Sequence, residues 1–195
     1  MLDYRLLLPL LVVVILLFTA LILYFQRKKQ QELLEYQAEK RNGYTEASNF
    51  LAPIRLVLPL GDQALHIYSV PGGKNRPSKT IADLVGNTTQ TQFPQIKIGR
   101  NTLFQKALET SGKERFLSGN DEFDRTFVVS IDDEGIARRL LTSDIQKNLI
   151  EMASKSPSIE IGPQHYRMMV LRILKNSEGY DLFIDTALAV LNKLK

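Results

Sequence analysis

The chain has 195 residues, 44% of them hydrophobic, with a formal net charge of +4 and no cysteine. Absent thiols exclude a disulfide framework, thiolate metal sites and a cysteine nucleophile. Residues 1–42 carry six basic and four acidic groups, leaving 19 against 17, or +2, for the rest, which lacks the clustered charge of a nucleic-acid surface.

Leu6 to Phe25 reads LLLPLLVVVILLFTALILYF, with no charge and only Thr19 and Tyr24 as polar side chains. Twenty helical residues span about 30 Å, the thickness of a bilayer's hydrocarbon core. Pro9 sits in the first turn, where its missing N–H has no helical partner to lose. A core helix of a soluble protein shows a polar stripe, and this stretch shows none. The run exceeds the roughly 7–15 residues of a signal peptide and meets Gln26-Arg27-Lys28-Lys29 rather than a small-residue cleavage site. The expectation is an uncleaved single-pass anchor, with the lipid bilayer contacted through Leu6–Phe25. Arg27, Lys28, Lys29, Lys40 and Arg41 follow it, against Arg5 and the α-amino group before it. That excess predicts a cytoplasmic domain.

Gln26 to Arg41 contains strong helix formers and neither Gly nor Pro, so the helix should run on into water. Leu33, Leu34 and Tyr36 are too few for a coiled-coil seam. Arg27, Lys28 and Lys29 are candidate headgroup contacts, each worth about 1 kcal/mol near an anionic surface. Asn42-Gly43 is a helix stop. The expected division is an anchor at 1–25, a helical juxtamembrane linker at 26–42 and one soluble domain at 43–195.

The domain opens β-rich. Ile54, Leu56, Leu58 and Leu60 alternate with Arg55 and Val57, and Gly61-Asp62 turns the chain into a second strand, Ala64–Val70. Pro71–Pro77 reads as a loop with Lys74 and Arg76 available to headgroups, and Lys79–Val85 as the returning strand. Gly86–Gln92 is polar and should be exposed; Ile96 and Ile98 mark a short strand. Thr102 and Gln105 have capping-box spacing ahead of Leu103, Phe104, Ala107 and Leu108, a helix that Gly112 ends.

Phe123–Ile131 reads as a strand, with Phe123, Phe127, Val129 and Ile131 on one face and Asp124, Thr126 and Ser130 on the other. Asp132-Asp133 should cap a short helix, broken near Thr142-Ser143 before a longer one that carries Ile145, Leu149 and Met152 inward. Ser156-Pro157 ends it. Strands follow around Ile159 and Ile161 and over Tyr166–Leu174, then a turn at Asn176–Gly179. The final helix repeats Tyr180, Phe183, Ile184, Ala187, Leu188 and Leu191 at amphipathic spacing. The whole predicts an α+β domain, mostly antiparallel sheet with helices packed on one face.

From Ser118 onward SGNDEFDRTFVVSIDDEGIARRLLT combines a glycine-acidic loop, FD-x-x-F-x-V and a helix ending Leu-Leu-Thr. It resembles a pattern in poorly characterised bacterial membrane-anchored proteins carrying a domain of unknown function, over about residues 95–195. The resemblance implies a bacterial plasma (inner) membrane protein and brings no catalytic motif.

Candidate chemistry is sparse. His66 and His165 lack a nearby second ligand, and no Gly-x-Ser-x-Gly elbow nominates a serine. The acidic run Asp121, Glu122, Asp124 lacks EF-hand spacing and reads as turn and cap chemistry. Gly72-Gly73-Lys74 is not a phosphate-binding P-loop. No catalytic, cofactor or metal residue is assigned. The expected function is a non-enzymatic domain that binds another protein or supports a membrane complex. The alternatives are a membrane-tethered hydrolase with a scattered site and a lipid-headgroup-binding module.

Overall fold

The computed structural model describes residues 4–47, 49, 52–86, 93–101 and 115–194, with side chains from Pro9 onward. A 37-residue helix, α1 (Tyr4–Lys40), leads into a nine-stranded sheet. At 1.5 Å per residue α1 is about 55 Å long. Its first half stands clear: the side chains from Leu10 to Phe25 are exposed, and the apolar window has a mean hydropathy of 2.5 with none of it buried. This is one helix long and apolar enough to cross a membrane.

The second half of α1 does not hang free in water, as the sequence led us to expect. Arg27, Gln30, Leu34, Gln37, Ala38 and Arg41 recur at helical spacing and turn toward the domain, where Leu34, Gln37 and Ala38 are buried. The stretch 26–42 therefore contributes to the core. Its end is clasped to the last helix: Lys40 and Arg41 each lie 2.8 Å from Asp181, and Arg41 also reaches Asp185 at 2.7 Å. Gln37 Nε2 donates to Ser177 Oγ at 2.9 Å. Desolvation alone would raise Asp181, but hydrogen bonds from Lys40 and Arg41 outweigh it and lower the carboxyl to about 2. Asn42 takes a left-handed turn (φ 53°), and Gly43 packs so closely on the strand Arg55–Leu60 that a Cβ there would meet the Val57 carbonyl at 2.5 Å.

The strands are β1 (Tyr44–Glu46), β2 (Arg55–Leu60), β3 (Gln63–Val70), β4 (Lys79–Gly86), β5 (Ile96–Arg100), β6 (Arg115–Phe116), β7 (Phe127–Ile131), β8 (Ser158–Gly162) and β9 (His165–Val170). All pair antiparallel, in the order β1-β2-β3-β4-β9-β8-β5-β7-β6. Between β6 and β7 lies α2 (Asp121–Thr126). After β7 come α3 (Glu134–Leu140), α4 (Ser143–Glu151) and a 3₁₀ turn at Ala153–Lys155; α5 (Ser177–Leu194) ends the described chain. This is the expected α+β arrangement behind an apolar N-terminal helix. The expected helix from Thr102 to Gly112 and most of the polar stretch 86–92 lie outside the described residues.

One face of the sheet carries the core. Leu56, Leu65, Ile67, Ile98, Val129 and Met168 meet Leu149, Tyr180, Phe183 and Leu191 of the helices, all buried. Tyr166 is wholly buried and donates to the Ala187 carbonyl at 3.2 Å; burial pushes its phenol well up. The expected strand Phe123–Ile131 is half helix. Asn120 caps α2 by accepting from the Glu122 and Phe123 N–H groups, and acidic Asp121, Glu122 and Asp124 fill its first turn. Phe123 is still buried, stacked on Phe127 with ring centroids 5.1 Å apart. Four residues apart is helical spacing, and it carries the pair as well as strand alternation would.

Candidate functional site

Two of the acidic residues singled out from sequence, Asp124 and Asp133, hold turns. Asp124 accepts from the Ser118 and Gly119 N–H groups at 2.9 and 3.1 Å, closing the loop before α2. Asp133 caps α3 by accepting from Gly135 and Ile136. Among the described residues no three His, Asp or Glu side chains converge where a metal ion would sit. His66 Nδ1 lies 3.9 Å from Glu46, and the His165 ring covers Gly162.

The sheet face opposite the helices bears a row of charges that alternate in sign from strand to strand. The register aligns Asp83, Arg167, Glu160 and Lys97 across β4, β9, β8 and β5, with His66 of β3 opposite Asp83 at the end of the row. Arg167 grips Asp83 with two bonds, at 2.7 and 3.0 Å, and Tyr68 donates to the same carboxylate at 2.8 Å. Lys97 pairs with Glu160 at 3.0 Å. Each charge is met by its neighbour, so the row stabilises cross-strand register.

A different arrangement exists where α1 leaves its apolar half. Between α1 and the segment after β9 lies an open cleft of about 1040 Å³. Its cations are Lys29 of α1, Lys155 of the 3₁₀ turn, and Arg172 and Lys175 of the segment after β9. Leu33, Leu171, Ile173 and Leu174 supply its apolar wall, and no carboxylate among the described residues lines it. None of the four cations forms an ion pair among the described residues.

The walls are held from within the fold. The expected strand Tyr166–Leu174 stops at Val170 because Thr80 captures the backbone beyond it: Thr80 Oγ1 donates to the Arg172 carbonyl (2.9 Å) and accepts from the Leu174 N–H (3.2 Å). The Leu171 N–H donates to the Lys155 carbonyl at 2.8 Å. Lys155 Nζ meanwhile lies over the first turn of α5, 3.6 Å from where a Cβ on Gly179 would stand. That helix begins at Ser177, inside the expected turn at Asn176–Gly179, with Asn176 Oδ1 accepting from the Gly179 N–H at 3.3 Å. Burial pushes the Tyr180 phenol up, against the effect of its hydrogen bonds with Ser69 and Gln30, which join α5 to β3 and α1.

The candidate headgroup residues divide accordingly. Lys29 lines the cleft. Lys28 is on the exposed side of α1, 4.0 Å from Glu32. Arg27 holds the turn before β2 by donating to the Ala52 and Asn49 carbonyls at 3.0 and 3.1 Å. Lys74 and Arg76 lie in the exposed β3–β4 loop, closed by the Gly73–Arg76 bridge; its last residue, Ser78, reaches the cleft. Lys155, Arg172 and Lys175 were not nominated from sequence, because only the tertiary fold brings them to Lys29.

No protein-family model matches this chain, and no curated protein matches it in sequence. Among solved structures it is similar to the crystal structure of the mycobacterial trehalose monomycolate transport factor A, TtfA. The likeness has a TM-score of 0.51 at 11% identity and covers 85% of this chain and 94% of that one; at such identity it is a likeness of fold.

Proposed function

We propose that the protein is a single-pass, membrane-anchored, non-enzymatic domain that supports a membrane complex by binding another protein. The domain would stand on the cytoplasmic side of a bacterial plasma membrane, the orientation that an excess of basic residues after the span favours. The observation that carries this reading is the division of α1. One half is exposed and uncharged from Pro9 to Phe25, and the other half is built into the domain's core. A helix shared in that way fixes the domain's pose against the bilayer, which a flexible tether does not. Asp124 and Asp133 are occupied by a turn and a cap, and neither histidine is bonded to a hydroxyl among the described residues, so the hydrolase reading draws no support from them. Resemblance of residues 95–195 to bacterial membrane-anchored proteins, and likeness of fold to a protein named for transport, agree with a supporting role.

A photo-crosslinking residue at Lys97, on the charged sheet face, tests this in intact cells. The expected result is a discrete protein adduct that disappears when residues 1–25 are deleted. Equal adduct formation without the apolar segment would refute a membrane-bound partner.

A further inference from the structure

We infer that the cleft between α1 and the segment after β9 binds the anionic phosphate headgroup of a membrane lipid. The inference rests on the anchored reading above and deepens it by naming a ligand class and its residues.

Three features converge. First, Lys29, Lys155, Arg172 and Lys175 share one cleft that no carboxylate among the described residues lines. Elsewhere this protein pairs its charges closely, as Lys40 and Arg41 with Asp181, Arg167 with Asp83, and Lys97 with Glu160 show. Four cations with no ion-pair partner among the described residues repel one another, and Lys155 stands at the positive end of α5, where a cation is disfavoured. A bound anion relieves both.

Second, the cleft is amphipathic. Leu33, Leu171 and Ile173 form a wall that suits a glycerol ester and the start of an acyl chain better than a free, fully hydrated ion.

Third, the cleft lies at the right height. Its residues on α1 run from Gln26 to Leu33, immediately after the apolar run ends at Phe25. They occupy about the first 12 Å beyond the hydrocarbon edge, and the headgroup layer is about 5–7 Å deep on each side. The Thr80 bonds to Arg172 and Leu174 preorganise the wall, so little ordering entropy opposes binding.

The test uses the full chain in detergent, exchanged into nanodiscs of phosphatidylcholine with or without phosphatidylglycerol, and counts retained lipid by native mass spectrometry. Wild type should prefer phosphatidylglycerol by about tenfold or more. The quadruple change Lys29→Gln, Lys155→Gln, Arg172→Gln, Lys175→Gln should abolish the preference. A control with equal charge removed elsewhere, at exposed positions outside the cleft and outside the candidate headgroup residues (Arg125→Gln, Arg139→Gln, Lys147→Gln, Lys193→Gln), should keep it. If the quadruple variant melts early, Arg172→Gln and Lys175→Gln singly, both at exposed positions, give the same reading in part.

Equal retention by cleft and control variants, or no preference in wild type, overturns the inference. Displacement of the lipid by millimolar inorganic phosphate would assign the cleft to a free anion and overturn the lipid source. Carbonate washing of membranes separates the two readings: a chain that washes off sinks the anchor, whereas one that stays but shows no headgroup preference sinks only the cleft.

Discussion

Removing residues 1–43, so that the chain begins at Tyr44, should destroy the domain rather than liberate it. The sequence marks Asn42-Gly43 as a boundary, but the core reaches back past it to Leu34, which is 0% exposed. A buried Leu cut to Ala costs about 2–5 kcal/mol. Truncation deletes Leu34 and Ala38 together, uncovers the sheet face beneath them and leaves Asp181 without its two cationic partners. The loss is at least about 4 kcal/mol, a large part of the ~5–15 kcal/mol that holds a domain together. A chain of 27–195 should be soluble and unfold cooperatively in urea; one of 44–195 should aggregate or show no transition. Within 27–195, Leu34→Ala should cost about 3 kcal/mol and Tyr36→Ala, at an exposed position, under about 0.5. Indistinguishable midpoints for 27–195 and 44–195 would refute the docking of α1.

Three further outcomes follow from local geometry and are read by the same unfolding measurements. Phe127→Ala should cost about 3–5 kcal/mol, Thr126→Ala under about 1 at the half-buried end of α2, and Val128→Ala about 1–3, because Val128 is also buried although it faces the other side of β7. Asp181 titrates at about 2 when folded against 3.8 ordinarily, so its contribution is complete above about pH 4 and is lost as pH falls toward 2; allowing for solvent screening it is about 1 kcal/mol, and Asp181→Asn should flatten that acid limb. Gly43→Ala should cost about 2 kcal/mol, since its new methyl group meets the Val57 carbonyl, which cannot move without breaking β1 from β2.

Those elements legible in the sequence were the ones whose pattern is local. The apolar run Leu6–Phe25, the hairpin turn at Gly61-Asp62 and the spacing of Tyr180, Phe183, Ile184, Ala187 and Leu191 each declare themselves within a few residues. The docked stripe of α1 does not. Its inward positions are mostly Arg, Gln and Ala, whose burial depends on bonds to Ser177, Asp181 and the Ala52 carbonyl far along the chain. Phe123 misled for a related reason: its inward direction was evident, but Asn120 and Asp124 decided that the backbone there would be helical. The cleft was the least visible feature. Lys29, Lys155, Arg172 and Lys175 are ordinary surface residues in sequence, and Thr80, ninety-two positions from Arg172, sets the wall that gathers them.

Placement of the domain is the claim on which the rest depends, and a chain without cysteine permits a direct measurement. Single variants Asp3→Cys and Lys193→Cys are exposed to a membrane-impermeant maleimide in intact spheroplasts and again after lysis. The account predicts labelling of Asp3→Cys from outside, labelling of Lys193→Cys only after lysis, and retention of both chains in carbonate-washed membranes. Labelling of Lys193→Cys in intact spheroplasts would contradict the orientation, and release by carbonate would contradict the anchor.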